Sequence, residues 1–415
     1  MQQLPVSVVV VSRCRPDSLR LCLTGLARLL YRNYEIILVA DPAGVAVAAG
    51  LPFAPHLTIV PFNRANISAG RNLGISAAAG EVVAFIDDDA VPEPAWLTHL
   101  AGVFHDDSVA AAGGFVIGRN GISYQWKARS IDPDGEAHPL PVNGSAPVVL
   151  SRTQGRAIKT EGTNMAIRRN VLQRLGGFDE AFRFYLDETD LNMRLAKAGQ
   201  KTAIVPAAVV HHAYGASPRR RHSRAVLDLT DIGRSSVLFW RKHAAGREMD
   251  DLETRLIAQQ RRRVVQQMRD GLLNPDEVRH VLQTLANGLA EGRVVPPDQY
   301  AAIAPGPTGF RQFPTLATGQ AVSLSGGVLG RAALQRCAGE LAAKGHTVSL
   351  YLFSHTALYH RASFTPDGYW LQRGGLFGRS ERQGSLVKFW RRSRRVQAEE
   401  ERVYQMRHGD VPGCR

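Results

Sequence analysis

Residues 63–97 read NRANISAGRNLGISAAAGEVVAFIDDDAVPEPAWL, and the fold turns on the middle of that stretch. Residues 82–86 form an apolar run of strand length, and Asp87, Asp88 and Asp89 follow it without a break. Residues 67–79 have the spacing of a helix packed before that strand. A helix leading into a fully apolar strand is the pattern of an α/β sheet covered on both faces, and such sheets bind ligands beyond the carboxyl ends of their strands. Three carboxylates at such an end repel one another, and a cation relieves that cost. Oxygen ligands of this kind suit Mg²⁺ or Mn²⁺. The plain alternative is an acidic turn capping the next helix.

Working outward, residues 6–11 are a β-branched strand and residues 17–30 a helix with Leu19, Leu23, Leu26, Leu29 and Leu30 on one side. Residues 35–39 and 57–60 predict two more strands. Strands alternating with helices give a doubly wound, mainly parallel α/β sheet with flanking helices, and place residues 12–15, 40–44 and 87–89 at its binding edge. Downstream, residues 92–104 predict a helix, 109–117 a strand, 120–147 a long loop, and 164–167 a short strand. Helices follow at 169–175 and 189–198, with two closing strands at 202–205 and 208–212. This sets a first domain at residues 1–224, ending in the basic PRRRHSR segment that begins at Pro218. A helical region at 225–293 follows, then a linker at 294–330 carrying Pro296, Pro297, Pro305, Pro307 and Pro314. A small basic α/β unit at 331–415 completes the chain.

The 415 residues are 44% hydrophobic and 21% charged, which excludes a disordered or fibrous chain. Lys and Arg number 51 against 37 Asp and Glu, and the net charge of +14 favours phosphorylated or polyanionic partners. Cys14, Cys22, Cys337 and Cys414 are too scattered for a disulfide framework, as expected of a cytoplasmic protein. No run approaches the roughly 18 apolar residues of a membrane span, and the N-terminal apolar run reads as a strand rather than a signal peptide. The tail clusters Arg391, Arg392, Arg394 and Arg395 beside Phe389 and Trp390, which predicts peripheral contact with the anionic inner face of a membrane.

A second acidic cluster, Asp187-Glu188-Thr189-Asp190, opens a helix, where helix capping also favours acids. It accompanies Gly162-Thr163-Asn164 and Gly176-Gly177-Phe178-Asp179. One carboxylate set for a metal and phosphate, plus a separate carboxylate base, is what group transfer from a phosphorylated donor requires.

Together with VSVVVVSRCRPDSLRLCL from residue 6, EGTNMAIRRNVLQRLGGFDEAF from 161, YLDETDLNMRLAKAG from 185 and VVHHAYGAS from 209, these segments resemble family 2 glycosyltransferases of the GT-A fold. The resemblance covers residues 5–217. It implies an inverting, metal-assisted transfer of a sugar from a nucleotide-diphosphate sugar to a hydroxyl of a saccharide or lipid-linked acceptor, in cell-surface polysaccharide or glycoconjugate synthesis. It implies Mn²⁺ or Mg²⁺ on Asp87, Asp89 and His212, with adjacent His211 leaving that register open. It puts Asp41, Arg71, Asn72, Asp87 and Asp88 on the donor, and Gly162, Thr163, Asn164 and Asp187 on the acceptor side. Glu188 is implied as general base, and Asp190 as a stabiliser of the helix start. Arg219, Arg220 and Arg221 are either a loop closing over the diphosphate or a solvated basic loop. Only Asp41 stands where the family has two adjacent acids, and Glu188 stands where it has Asp. The rival readings are a nucleotidyltransferase, which lacks its Gly-rich phosphate loop in Ser12–Pro16, and a basic nucleic-acid or membrane module on a degenerate transferase domain. Sparse interleaved aromatics argue against nucleic acid.

Overall fold

The computed structural model describes residues 2–213, 215, 219–300, 303, 309–381 and 384–408; Ser217, Pro218, Pro305, Pro307 and Cys414 lie outside them. The chain begins with β1 (Val6–Ser12), α1 (Pro16–Leu26), β2 (Tyr34–Ala40), α2 (Pro42–Ala49), β3 (Leu57–Pro61), α3 (Ile67–Ala77) and β4 (Val82–Asp87). β1 pairs in parallel with both β2 and β4, and β2 with β3. Strand period explains why these runs are apolar throughout. Val6, Val8 and Val10 enter one core with Leu19 and Leu23, while Val9 enters a second core with Ile37, Val39 and Ile75.

After β4 the structure differs from the sequence expectation in three places. The predicted helix at 92–104 shortens to α4 (Trp96–Gly102), because Ala90–Pro92 is a strand, β5. β6 (Val109–Ile117) then appears as expected. The long loop instead carries β7 (Tyr124–Trp126), β8 (Arg129–Ile131) and β9 (Ala137–Pro139), followed by β10 (Val148–Leu150) and β11 (Ala157–Lys159). β11, β8 and β9 form a separate three-stranded sheet. β12 (Met165–Arg168) runs antiparallel between β4 and β6 in a ten-stranded mixed sheet, in keeping with the mainly parallel reading. Beyond α5 (Arg169–Leu175) and α6 (Asp187–Lys197), the two closing strands are one, β13 (Lys201–His212). Its register against β6 shifts between Val205 and Val209, where Pro206 cannot donate a ladder hydrogen bond. β5 pairs with the far end of β13.

Helices α7 (Thr230–His243), α8 (Met249–Arg269) and α9 (Pro275–Val294) pack on this domain through a core that includes Phe182, Phe239 and Leu285. Asn274 and Glu277 form a reciprocal cap at the start of α9. Residues 309–320 run as a strap along the first domain. The Phe313 N–H donates to Tyr34 O at 2.7 Å, the Leu316 N–H donates to Ala27 O at 2.8 Å, and the Phe313 ring is fully buried.

The C-terminal unit is larger than one helix and one strand. β14 (Ala321–Gly326), α10 (Arg331–Ala343), β15 (Thr347–Ser354), β16 (Arg361–Phe364) and β17 (Trp370–Gly375) build a four-stranded sheet, covered by α11 (Arg392–His408). Arg395 is buried against Glu399 and His360, so the tail arginines do not share one surface: Arg391 and Arg394 are exposed. Among the described residues no helix is long and apolar enough to cross a membrane.

Candidate active site

The carboxyl ends of β1, β2 and β4 converge, and the side chains there interlock. Val11 pairs with Asp87 in register, so Ser12 lies beside the acidic turn. Ser12 Oγ donates to Asp88 at 2.8 Å, and the Arg15 guanidinium lies 3.1 Å from both Asp88 and Asp89. Burial pushes the Asp88 carboxyl up to about 7, with Arg15 working against the shift and Asp89 adding to it. Asp41 is turned to structural work. One oxygen accepts from the Gly44 N–H as the cap of α2, and the other accepts from the Cys14 N–H.

The choice between the adjacent histidines is resolved by strand pairing. β5 lies against the end of β13, with His212 opposite Ala90 and His211 opposite Val91. His212 therefore faces Asp89, its Nε2 3.1 Å from Oδ1. His211 points to the other face and contacts Glu93 at 2.8 Å. Burial opposes charging of His212, yet the Asp89 carboxylate raises it. Burial likewise opposes ionisation of Asp89, and His212 and Arg15 bring it below the usual carboxylate range.

Asp87, Asp89 and His212 each offer one ligand atom, and these atoms all lie within 4.8 Å of one another. Asp89 Oδ2 accepts from the Gly215 N–H, and buried Oδ1 lies 3.1 Å from His212 Nε2. Two carboxylates and an imidazole whose ligand atoms converge in this way fit a divalent cation.

Arg71 joins this turn to the second acidic cluster. Its guanidinium is buried, 3.2 Å from Asp87, and paired also with Asp187. Gly162 lies directly on it, and a Cβ there would collide with the guanidinium. The Asn72 amide bonds both the N–H and the C=O of Phe178 at 2.9 Å, pinning the Gly-Gly-Phe-Asp turn. Asn164 is also spent internally. It donates to Phe115 O and Ala208 O, bracing the β13 irregularity, and accepts from Trp96 Nε1 at 2.7 Å. Buried Thr163 Oγ1 has no partner.

Tyr185 and Leu186 take left-handed backbone angles, φ 70° and 63°, and so turn the chain sharply into α6. Its first turn then presents Asp187, Glu188 and Asp190 in three directions. Glu188 Oε1 meets Lys159 Nζ at 2.8 Å, and the same ammonium donates to Thr189 Oγ1. Burial opposes ionisation of Glu188, but Lys159 holds it well below the usual carboxylate range. Burial and the neighbouring Glu188 raise Asp187 despite Arg71. Asp190 is fully buried between Arg194, Lys242 and His243, each at 2.8 Å, and ties α6 to α7.

Lys159 is not singled out by the sequence, and Arg15 only as part of the 12–15 binding edge. Lys159 sits on β11, a strand of three residues with no readable period, though the Gln154-Gly155 turn before it was a usable signal. Of the basic loop, Arg219 pairs with Asp231 and Arg221 with Glu277, while Arg220 Nε donates to Gly215 O at 3.0 Å, directly beside Asp89.

Residues 7–176 match the family described as Glycosyl transferase family 2. The pre-mycofactocin glycosyltransferase of Mycobacterium tuberculosis is 27% identical over 215 residues, 50% of this chain and 42% of that protein. The O-antigen biosynthesis protein RfbC of Myxococcus xanthus is 26% identical over 229 residues, 50% of this chain and 17% of that protein. This chain thus spans less than half the length of either relative. Among solved structures, a mannosyltransferase of Pyrobaculum calidifontis in complex with GDP-Man and Mn²⁺ aligns at TM-score 0.43 and 17% identity, covering 71% of this chain and 88% of that one. Residues 7–176 are thus similar to glycosyltransferase family 2.

Proposed function

We propose that this chain transfers a sugar from a nucleotide-diphosphate sugar to an acceptor hydroxyl with inversion, in the assembly of a cell-surface polysaccharide or glycoconjugate. The observation that carries the reading is the pair of acidic sites joined by Arg71: a carboxylate-imidazole trio at the sheet edge, and a separate carboxylate, Glu188, at the head of α6. Asp87, Asp89 and His212 would hold Mn²⁺ or Mg²⁺, which supplies countercharge for a diphosphate. Glu188, kept ionised by Lys159, accepts the acceptor's hydroxyl proton. The acceptor oxygen then bonds to the anomeric carbon from the face opposite the leaving group. The bond from that carbon to the phosphate oxygen breaks, and its electron pair leaves with the nucleoside diphosphate. Arg71 keeps Asp187 and Asp87 oriented around this reaction space. The pathway rests on the relatives' printed roles, pre-mycofactocin glycosylation and O-antigen synthesis.

Peripheral membrane contact belongs to the same reading. Phe389 is 87% exposed and Leu386 62%, beside Lys388, Arg391 and Arg394, and apolar tips among cations suit an anionic interface. A panel of nucleotide sugars, assayed for transfer and thermal shift with Mn²⁺ and with chelator, tests the activity; no metal-dependent shift with any of them defeats it.

A further inference from the structure

Next to the carboxylate-imidazole trio lies a cavity of about 610 Å³ into which five arginines project: Arg119, Arg220, Arg224, Arg263 and Arg361. No carboxylate lines it. Four separate parts of the chain deliver these side chains. Arg119 comes from the β6–β7 turn, Arg220 and Arg224 from the segment before α7, Arg263 from α8, and Arg361 from β16.

The convergence is built, not incidental. The Ala362 N–H donates to Asn120 O at 3.1 Å, locking β16 onto the β6–β7 turn and setting Arg361 beside Arg119. Gly121, at φ 72°, allows that approach, since a Cβ there would collide with the Ala362 carbonyl. Gln267 accepts from the Val226 N–H and donates to Arg224 O, so the segment bearing Arg220 and Arg224 is fixed to α8 one turn from Arg263. Among the described residues, Arg119, Arg263 and Arg361 form no ion pair. These three bring positive charge to one hollow that an anion would neutralise. Guanidinium forks match phosphate oxygens in geometry as well as charge.

The cavity also communicates with the reaction site. Gln125 lines it and holds His212 Nδ1 at 3.2 Å. Arg220 reaches Asp89 through Gly215. Arg220, Arg224, Arg263 and Arg361 all lie outside residues 7–176, in parts the family match does not cover. A donor diphosphate has its own place at the carboxylate trio. The group left to occupy a neighbouring hollow is the other substrate.

We propose that this cavity binds the phosphate groups of a phosphorylated acceptor, orienting its hydroxyl toward the anomeric carbon; the assignment to an acceptor rests on the glycosyltransferase reading above. The source is either a lipid diphosphate or a sugar phosphate, which share the same anionic chemistry.

The test uses the full chain in excess chelator, titrated calorimetrically with inorganic pyrophosphate, geranyl diphosphate and glucose 1-phosphate. At least one should bind, more weakly as salt rises. The variant R119S/R263S/R361S removes only arginines without ion pairs, and should weaken binding roughly a hundredfold, as lost charge-assisted hydrogen bonds do. Its Mn²⁺-dependent binding of UDP or GDP should stay at the wild-type value. Preference for geranyl diphosphate identifies a lipid acceptor, and preference for glucose 1-phosphate a soluble one. The proposal is overturned if none of the three binds, or if the variant binds as wild type does. Displacement by Mn²⁺ and nucleotide would give the cavity to the donor, and displacement by a single-stranded oligonucleotide would give it to nucleic acid; either result also overturns it. Failure of every nucleotide to bind with Mn²⁺ would instead refute the glycosyltransferase reading, a result separate from the phosphate titration.

Discussion

The two acidic clusters look alike in sequence and are built on opposite electrostatic plans. At the head of α6 each acid has its own cation: Asp187 has Arg71, Glu188 has Lys159, and Asp190 has Arg194 and Lys242. At the end of β4 one arginine, Arg15, is shared by Asp88 and Asp89, and Arg71 is shared between Asp87 and the other cluster. The second cluster is neutralised within the protein. The first shares two arginines among three acids, with His212 as the further partner of Asp89. A run of acids therefore says little by itself; the cations placed around it decide whether it binds a metal, moves a proton or holds two helices together.

The largest effect should come from removing charge where the protein supplies least compensation. Asp89→Asn is expected to lower transfer by roughly 10³-fold or more, because a neutral amide cannot match the carboxylate on a divalent ion. The Mn²⁺-dependent thermal shift should vanish with it. Persistence of that shift in Asp89→Asn would show that the two clusters differ less than their cations suggest.

Glu188→Gln comes next. The amide keeps size and hydrogen bonding but cannot take a proton, so turnover should fall roughly 10²–10⁴-fold. Donor affinity should barely move, since Glu188 acts on the acceptor. Steady-state kinetics beside nucleotide titration separate the two. A near-normal kcat in this variant would move the base elsewhere.

Lys159→Met sharpens the comparison by making the second cluster resemble the first. Without the ammonium, burial of Glu188 is opposed only by Arg71 and a backbone hydrogen bond, and its pKa rises. A base works only when ionised, so the acid limb of kcat/KM should move to higher pH. Activity should then fall off at a higher pH in the variant than in wild type, roughly tenfold per pH unit below the limb. An unshifted limb with lower activity at every pH would reduce Lys159 to a packing role.

How much of this was legible beforehand follows from element length and from what neighbours supply. The β1–β4 half was readable because long β-branched runs and Leu periodicity are local signals. The strand at Ala157–Lys159 was not, because three residues cannot display a period, and with it went Lys159. Pro206 split β13 in the reading, since a proline in a strand looks like an end until a bulge accommodates it. α11 escaped notice because it is highly charged and its buried residues include Arg395, Glu399 and Arg407, where an apolar stripe would have signalled a helix. The metal-site histidine could not be chosen between two neighbours because the choice belongs to β5, whose pairing partner is more than a hundred residues away. Asn72 and Asn164 carried the family's pattern but are occupied with backbone groups, a distinction invisible without coordinates.

The smallest effect on turnover, and one measured mainly as stability, belongs to Asp190. It lies two residues from Glu188, yet its oxygens are engaged by Arg194, Lys242 and His243 from the far side of the helix. Burial opposes its ionisation, and these cations overcome the penalty, leaving it below its ordinary value of 3.8. A carboxylate with a depressed folded pKa contributes stability that is fully present above its unfolded pKa and is lost as pH falls through the folded one. Asp190→Asn should therefore destabilise the chain at pH 7 by about 2 kcal/mol, less than a full buried-pair break because the amide can still accept one hydrogen bond. The gap between variant and wild type should narrow as pH falls below about 4, where Asp190 begins to protonate in the unfolded chain while the folded carboxylate stays charged. Kcat at pH 7 should stay within a few-fold of wild type, against the much larger loss for Glu188→Gln. Urea unfolding of both proteins at pH 7 and pH 3.5, with kcat measured alongside, checks each part. A stability gap that does not narrow in acid would mean that the Asp190 charge contributes nothing and only its packing matters. A collapse of kcat with stability unchanged would transfer the proton-accepting role two residues along α6.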